Sequence, residues 1–97
     1  MKPIQLYSEA ESEMIDASKY YELQQNDLGK RFIEVVRNAV KRVQINPLLY
    51  PRIISNIRTC QTKTFPYHGV FRDQEKQNEI IAIMHTKRNP GYWRNRL

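Results

Sequence analysis

In the first half of the chain apolar residues recur at the period of a helix, and in the second half they crowd into the short runs of strands. Ile4 and Leu6 alternate with Gln5 as in a short strand. Ser8 to Glu11 (SEAE) then has the Ser-x-x-Glu spacing of a capping box, which predicts a helix beginning near Glu9. Ala10, Met14, Ala17 and Tyr21 follow at intervals of three and four, flanked by Tyr20 and Leu23. One face is therefore apolar, and Glu11, Glu13 and Asp16 are expected to point largely elsewhere. Asn26 to Gly29 breaks the pattern. From Leu28 a second run places Phe32, Val35, Val36, Ala39, Val40 and Val43 on one stripe, with Lys30, Arg31, Arg37, Lys41 and Arg42 on the remainder. Asn46-Pro47 ends this second helix, because the residue before a proline is pushed out of the helical region. Two such helices joined by a short turn form a hairpin whose apolar stripes need a further surface to cover them.

That surface is expected from the rest of the chain. Past the connection NPLLYPRI, residues Ile57 to Phe65, Tyr67 to Arg72 and Glu79 to His85 are rich in β-branched and aromatic residues and are predicted as strands. Pro66 separates the first two, and the polar Asp73 to Asn78 turns the chain into the third. EIIAIMH is a nearly continuous apolar run, the pattern of a central strand covered on at least one face by the helix pair. The expectation is an α+β fold of order β-α-α-β-β-β, a helix hairpin on a small, mainly antiparallel sheet, ending in a short basic tail. Its 97 residues suit a single domain spanning 1–97, large enough to bury roughly two thirds of the unfolded surface.

Charge changes this picture only when counted by halves. Residues 1–50 carry seven Lys or Arg against seven Asp or Glu, whereas residues 51–97 carry nine against three, so the whole excess of +6 lies in the second half. A local positive potential of this kind suits an acidic partner, either nucleic acid or an acidic protein surface. The last stretch, HTKRNPGYWRNRL, holds four cations and no acid. Cys60 is the only cysteine, which excludes an internal disulfide and, without metal-ligand spacing to His68 or His85, implies no metal and no cofactor. With no signal-peptide pattern and no apolar run near the roughly 20 residues of a membrane span, a cytoplasmic protein with no membrane role is expected.

Several landmarks, in order and spacing, resemble the RelE/ParE superfamily of bacterial toxins from type II toxin-antitoxin systems, and the ParE branch more than the RelE branch. They are Ala10, YYE at Tyr20 to Glu22, LGKRF at Leu28 to Phe32, NPLLYP at Asn46 to Pro51, Ile57-Arg58, FPY at Phe65 to Tyr67, and AIMHTKRNPGYWRNR at Ala82 to Arg96. The resemblance implies a plasmid-stabilisation type of toxin that arrests growth and is neutralised by a cognate, ParD-like antitoxin in a hetero-oligomer. ParE-like members are associated with poisoning of DNA gyrase. RelE-like members resemble ribosome-dependent endoribonucleases acting on mRNA, so the same scaffold leaves two mechanisms open.

A metal-independent ribonuclease needs cations on the scissile phosphate and groups that move protons. Arg58, Lys63, His68, Arg72, His85, Arg88 and Tyr92 are the residues for that reading, because all lie on or just after predicted strands. Against it, RelE-like sequences carry a Tyr-Arg-x-x-Tyr pattern where this chain has YHGVF, with His68 in the arginine's place. A gyrase inhibitor needs no catalytic residue, and for it Lys87, Arg88, Tyr92, Trp93, Arg94 and Arg96 of the tail form the target-binding set. A third reading is a small basic module that binds nucleic acid directly, which would show as steeply salt-dependent binding.

Structural roles stand beside these. His85 either fixes the tail by hydrogen bonding or meets the target. Arg58 is expected to clamp a helix-one acid such as Glu13 or Glu22, Tyr20 and Tyr21 to sit in or beside the core, and Cys60 to be inert. Trp93 either covers the sheet edge, the preferred reading, or anchors in a target pocket. On these expectations, deleting Asn89 to Leu97 abolishes toxicity and spares antitoxin binding.

Overall fold

Five strands and two helices account for most of the chain in a computed structural model that describes residues Met1–Leu97. β1 (Ile4–Leu6) leads into α1 (Ser8–Gln24) and α2 (Leu28–Ile45), and a single 3-10 turn at Pro47–Leu49 leads to β2 (Arg52–Ile54). β3 (Ile57–Gln61), β4 (Tyr67–Asp73) and β5 (Asn78–His85) follow, and a 3-10 turn at Arg94–Arg96 closes the tail. The sheet order is β1-β5-β4-β3-β2, with β1 parallel to β5 and the other pairings antiparallel. This is the expected helix hairpin on a mainly antiparallel sheet, with one strand added. No helix is long and apolar enough to cross a membrane.

The helical stripes account for the first core. Ala10 and Ala17 of α1 and Phe32, Val36, Ala39 and Val43 of α2 are buried against Cys60, Phe65, Phe71, Ile80 and Ile83. Phe32 is its centre, with ring centroids 5.1 Å from Phe65, 5.0 Å from Tyr67 and 5.3 Å from Tyr21. The helices approach most closely at their junction: a Cβ on Gly29 would lie 2.3 Å from the Ser18 carbonyl oxygen, which only glycine tolerates. Glu22 completes the turn by accepting the Asp27 and Gly29 amides at 3.0 and 3.1 Å, groups that the start of α2 leaves without helical partners.

The SEAE capping box does not form. Ser8 is already helical, Tyr7 is the N-cap without a side-chain hydrogen bond, and the Ser8 hydroxyl meets Glu9 instead. The sheet sets this start: the Tyr7 amide donates to the Ile80 carbonyl at 2.9 Å, and the Tyr7 carbonyl then accepts the Glu11 amide at 2.9 Å. With no linker between strand and helix, the ladder hydrogen bond decides where the helix begins.

The strand expected from Ile57 to Phe65 stops at Gln61. Buried Thr62 ends it, its hydroxyl donating toward the Phe65 and Tyr67 carbonyls at 3.0 and 3.1 Å, and Thr64 takes a left-handed conformation (φ 65°). β2 was not expected because it has only three residues, all exposed, between Pro51 and the tight turn at Ser55 (φ 50°). Arg58 forms no clamp with Glu13 or Glu22; it donates to the Tyr50 carbonyl at 2.7 Å, because β3, between β4 and β2, lies two strands away from the β5 segment that Glu13 meets and sets Arg58 beside the NPLLYP connection.

β5 is covered on both faces. A register shift opposite Val70 and Phe71 turns Ile81 and Ala82 toward the same side, where they join Ile57, Val70, Met84 and Trp93 in a second core away from the helices. Phe32→Ala should leave a cavity at the centre of the first core and lower unfolding free energy by about 3–5 kcal/mol, read from chemical denaturation.

Candidate functional site

Ala10, Glu13 and Ala17 lie three and four residues apart, so a carboxylate sits in the middle of the apolar stripe of α1. It does not point away from the fold as expected. β1 pairs with β5 only as far as Ile80, and beyond that point β5 has no strand on that side. Glu13 takes the vacant place: its carboxylate accepts the Ile83 amide at 3.1 Å. Arg96 completes it, donating to both Glu13 oxygens at 2.9 and 3.1 Å and to the Ile81 carbonyl at 3.1 Å. The Tyr92 hydroxyl also donates to Glu13. Burial first, then this hydrogen bond, push the Tyr92 phenol's pKa far above its usual value, and the bonds to Glu13 raise that of the Arg96 guanidinium.

The tail is therefore part of the fold. Trp93 is completely buried in the second core, and Tyr92 packs beside it. Before the tail, the chain turns at the end of β5, where the Lys87 amide donates to His85 Nδ1 at 3.0 Å and the Arg88 amide to the His85 carbonyl at 3.0 Å. The Arg88 guanidinium lies 3.9 Å from the Tyr92 ring centroid, so its charge is positioned although it is exposed. Of the tail residues, Tyr92, Trp93 and Arg96 are tied to the sheet, and Lys87, Arg88 and Arg94 face solvent. A cleft of about 300 Å³ beside them is lined in part by Asp16, Tyr20, Tyr67, His85 and Arg88.

The residues named for phosphate chemistry are divided. His68 and Arg72 share with Val70 the face of β4 opposite the helices. Arg72 is engaged there, donating to Glu79 at 3.0 Å and to the Tyr7 hydroxyl at 2.9 Å. The His68 ring nitrogen lies 3.4 Å from the Thr59 hydroxyl, and burial pushes its pKa down, toward the neutral form. His85 stacks edge-on against Tyr67 at 5.1 Å, on the helix side. Arg58 lies on β3 under the Tyr50 carbonyl and Lys63 on the β3–β4 loop. His85, Arg88 and Tyr92 come together at the end of β5; Arg58, Lys63, His68 and Arg72 do not join them.

A groove of about 620 Å³ lies between α1, α2 and β1. Ile4, Leu6, Met14, Ile15, Ile33 and Val40 make it largely apolar, and Arg37 and Lys41 on α2 face one carboxylate, Glu11, on α1.

Residues 4–90 match the family described as the ParE toxin of type II toxin-antitoxin system, parDE. The chain belongs to this family. Among solved structures it is similar to a chain of the chromosomal ParDE TA system from P. aeruginosa, with a TM-score of 0.80 and 16% identity over 90% of this chain and 98% of that one. At that identity the likeness is one of fold. No curated protein sequence matches it.

For this ParE-family toxin, deleting Asn89 to Leu97 removes buried Trp93 and the Arg96 partner of Glu13 along with the exposed cations. Such a deletion opens the second core, so loss of toxicity and intact antitoxin binding are not separable by it. Glu13→Ala should lower unfolding free energy by about 3–5 kcal/mol, because it strands the Arg96 guanidinium and the Ile83 amide; thermal and urea denaturation would measure it. A second ion pair supplies a pH test. Burial alone would raise the Glu79 carboxyl, but hydrogen bonds from Arg72 and Gln77 outweigh it and hold its pKa below the usual value. Its stabilising contribution is complete above the unfolded pKa of about 4.3 and is lost as pH falls through the folded value. Urea titrations at falling pH should show Glu79→Gln losing less stability below about pH 4 than the unaltered protein.

Proposed function

We propose that this ParE-family toxin stops growth by inhibiting DNA gyrase in the bacterial cytoplasm, without catalysis of its own, and that a cognate ParD-like antitoxin neutralises it. The observation that carries the choice of target is the division of the phosphate-handling residues. A nuclease needs base, acid and cations around one phosphate. Here His68 and His85 lie on opposite sides of the sheet, and Arg72 is committed to Glu79 and Tyr7. What the toxin offers a target is a rigid, tethered platform from which Lys87, Arg88 and Arg94 project. Because the backbone that carries them is tied to the fold, docking costs these cations side-chain freedom but little main-chain ordering, which favours recognition of an acidic protein surface.

The antitoxin's place on this reading is the groove between α1, α2 and β1. An amphipathic segment laying aliphatic side chains against Met14, Ile15, Ile33 and Val40, with carboxylates toward Arg37 and Lys41 on α2 and none toward Glu11 on α1, suits this lining. The P. aeruginosa neighbour is named as a ParDE system, which supports a partner of the ParD kind.

The deciding measurement is pulse labelling after induction without antitoxin. Thymidine incorporation should fall within minutes while amino-acid incorporation continues, and the purified toxin should inhibit gyrase supercoiling. Translation stopping first would replace this reading with the ribosome-dependent nuclease, centred on His85, Arg88 and Tyr92. Replacing Lys87, Arg88 and Arg94 together by glutamate should abolish growth arrest with folding and antitoxin binding retained; arrest by that variant would remove the tail from the target interface.

A further inference from the structure

From Val35 to Arg72 the chain carries seven Lys or Arg and no carboxylate. The fold gathers three of these cations into one place. Val35, Asn38, Arg42 and Ile45 recur at intervals of three and four and share one side of α2, where with Lys41 and Lys63 they line a cleft of about 320 Å³. Lys63 arrives from the β3–β4 loop, whose shape is set by buried Thr62. The chain's ion pairs are Lys2–Asp73, Arg72–Glu79 and Arg96–Glu13, so Lys41, Arg42 and Lys63 are each without a carboxylate partner. Three cations converging on a cleft repel one another, and an anion entering it relieves that repulsion.

Immediately beyond the cleft the surface is aliphatic. Ile45, one of its lining residues, is 69% exposed, and Leu48 and Leu49 on the following turn are 66% and 74% exposed. Water-exposed leucines beside unpaired cations fit a ligand that is acidic and apolar at once. No lining residue is aromatic, so the cleft lacks the stacking surface on which single-stranded nucleic acid is held. Lys41 also lines the groove between α1 and α2, so the two sites adjoin across α2.

We infer that the Lys41–Arg42–Lys63 cleft and the Ile45–Leu48–Leu49 ridge form a docking site for an acidic, leucine-rich segment of a partner protein. Resting on the reading above, that partner is the antitoxin, whose chain passes over α2 at Lys41 from the groove into the cleft. Carboxylates then occupy the cleft and aliphatic side chains cover the ridge. Held at two adjoining places, the segment gains avidity that the groove alone does not supply.

The test uses the full-length toxin, two ligands and three variants with exposed or groove positions changed: Lys63→Glu, Leu48→Ser with Leu49→Ser, and Ile15→Glu. Circular dichroism confirms that each is folded. The first ligand is a fluorescein-labelled synthetic peptide alternating glutamate and leucine, followed by anisotropy. It should bind the unaltered toxin, bind about tenfold more weakly to the two cleft-and-ridge variants, and lose less affinity for Ile15→Glu than for either of them. A peptide that does not bind, one that ignores Lys63→Glu, or a short DNA strand that binds more tightly than the peptide overturns the inference, the last in favour of a nucleic acid. The second ligand is the antitoxin that restores growth on co-expression, which should be weakened by all three variants; weakening by Ile15→Glu alone would also overturn the inference. If expression causes no arrest, the toxin reading fails by itself, and the peptide titration still decides whether the cleft is a docking site.

Discussion

The Glu13 carboxylate stands where the first helix, the unpaired end of β5 and the C-terminal tail meet. A carboxylate among apolar neighbours is costly unless every oxygen is hydrogen-bonded, and this one is met by a strand amide, a phenol and a bidentate guanidinium. Each partner gains in turn. β5 has its open edge closed where β1 ends, and Arg96 is fixed against the Ile81 carbonyl. The tail is thereby held down with Trp93 beneath the sheet. Ala10 and Ala17 on either side of Glu13 leave the room that lets α1 lie close enough for this contact.

That anchoring divides the basic tail into two populations. Arg96 and Tyr92 are committed to the fold, and Lys87, Arg88 and Arg94 are left exposed on a backbone tied to it, Arg88 resting on the Tyr92 ring. A flexible tail of the same composition would pay ordering entropy at each encounter. The same division applies to the strands: Arg72 and Arg58 are structural cations, tied to Glu79 and to the Tyr50 carbonyl, while the unpaired cations of α2 and the β3–β4 loop collect around a cleft. In this ParE-family fold, positive charge is abundant, and burial and pairing decide how much of it remains for a partner.

The helices were legible because periodicity reports one face at a time, and Phe32, Val36, Ala39 and Val43 are buried as their spacing requires. The resemblance to ParE-like toxins, carried by ordered short motifs, agrees with the match across residues 4–90. Local signals failed where a long-range contact overruled them. The capping box at Ser8 lost to the ladder bond between Tyr7 and Ile80, the β3 strand stopped where Thr62 bonded across the loop, and three-residue β2 was too short for any pattern to show.

The sequence by itself determined the helix hairpin, the three principal strands, the confinement of excess charge to the second half and the family to which the chain belongs. These depend on the order and spacing of residue types, which a linear reading contains. Tertiary structure alone decided which arginines are free, that the sheet has a second core under Trp93, and that Glu13 faces inward. Those outcomes depend on atoms brought together from positions far apart in the chain, 79 residues for Tyr92 and Glu13 and 83 for Arg96 and Glu13. A carboxylate in an apolar stripe was visible at position 13; the guanidinium that makes its burial tolerable was not, because pairing is a property of distance in space.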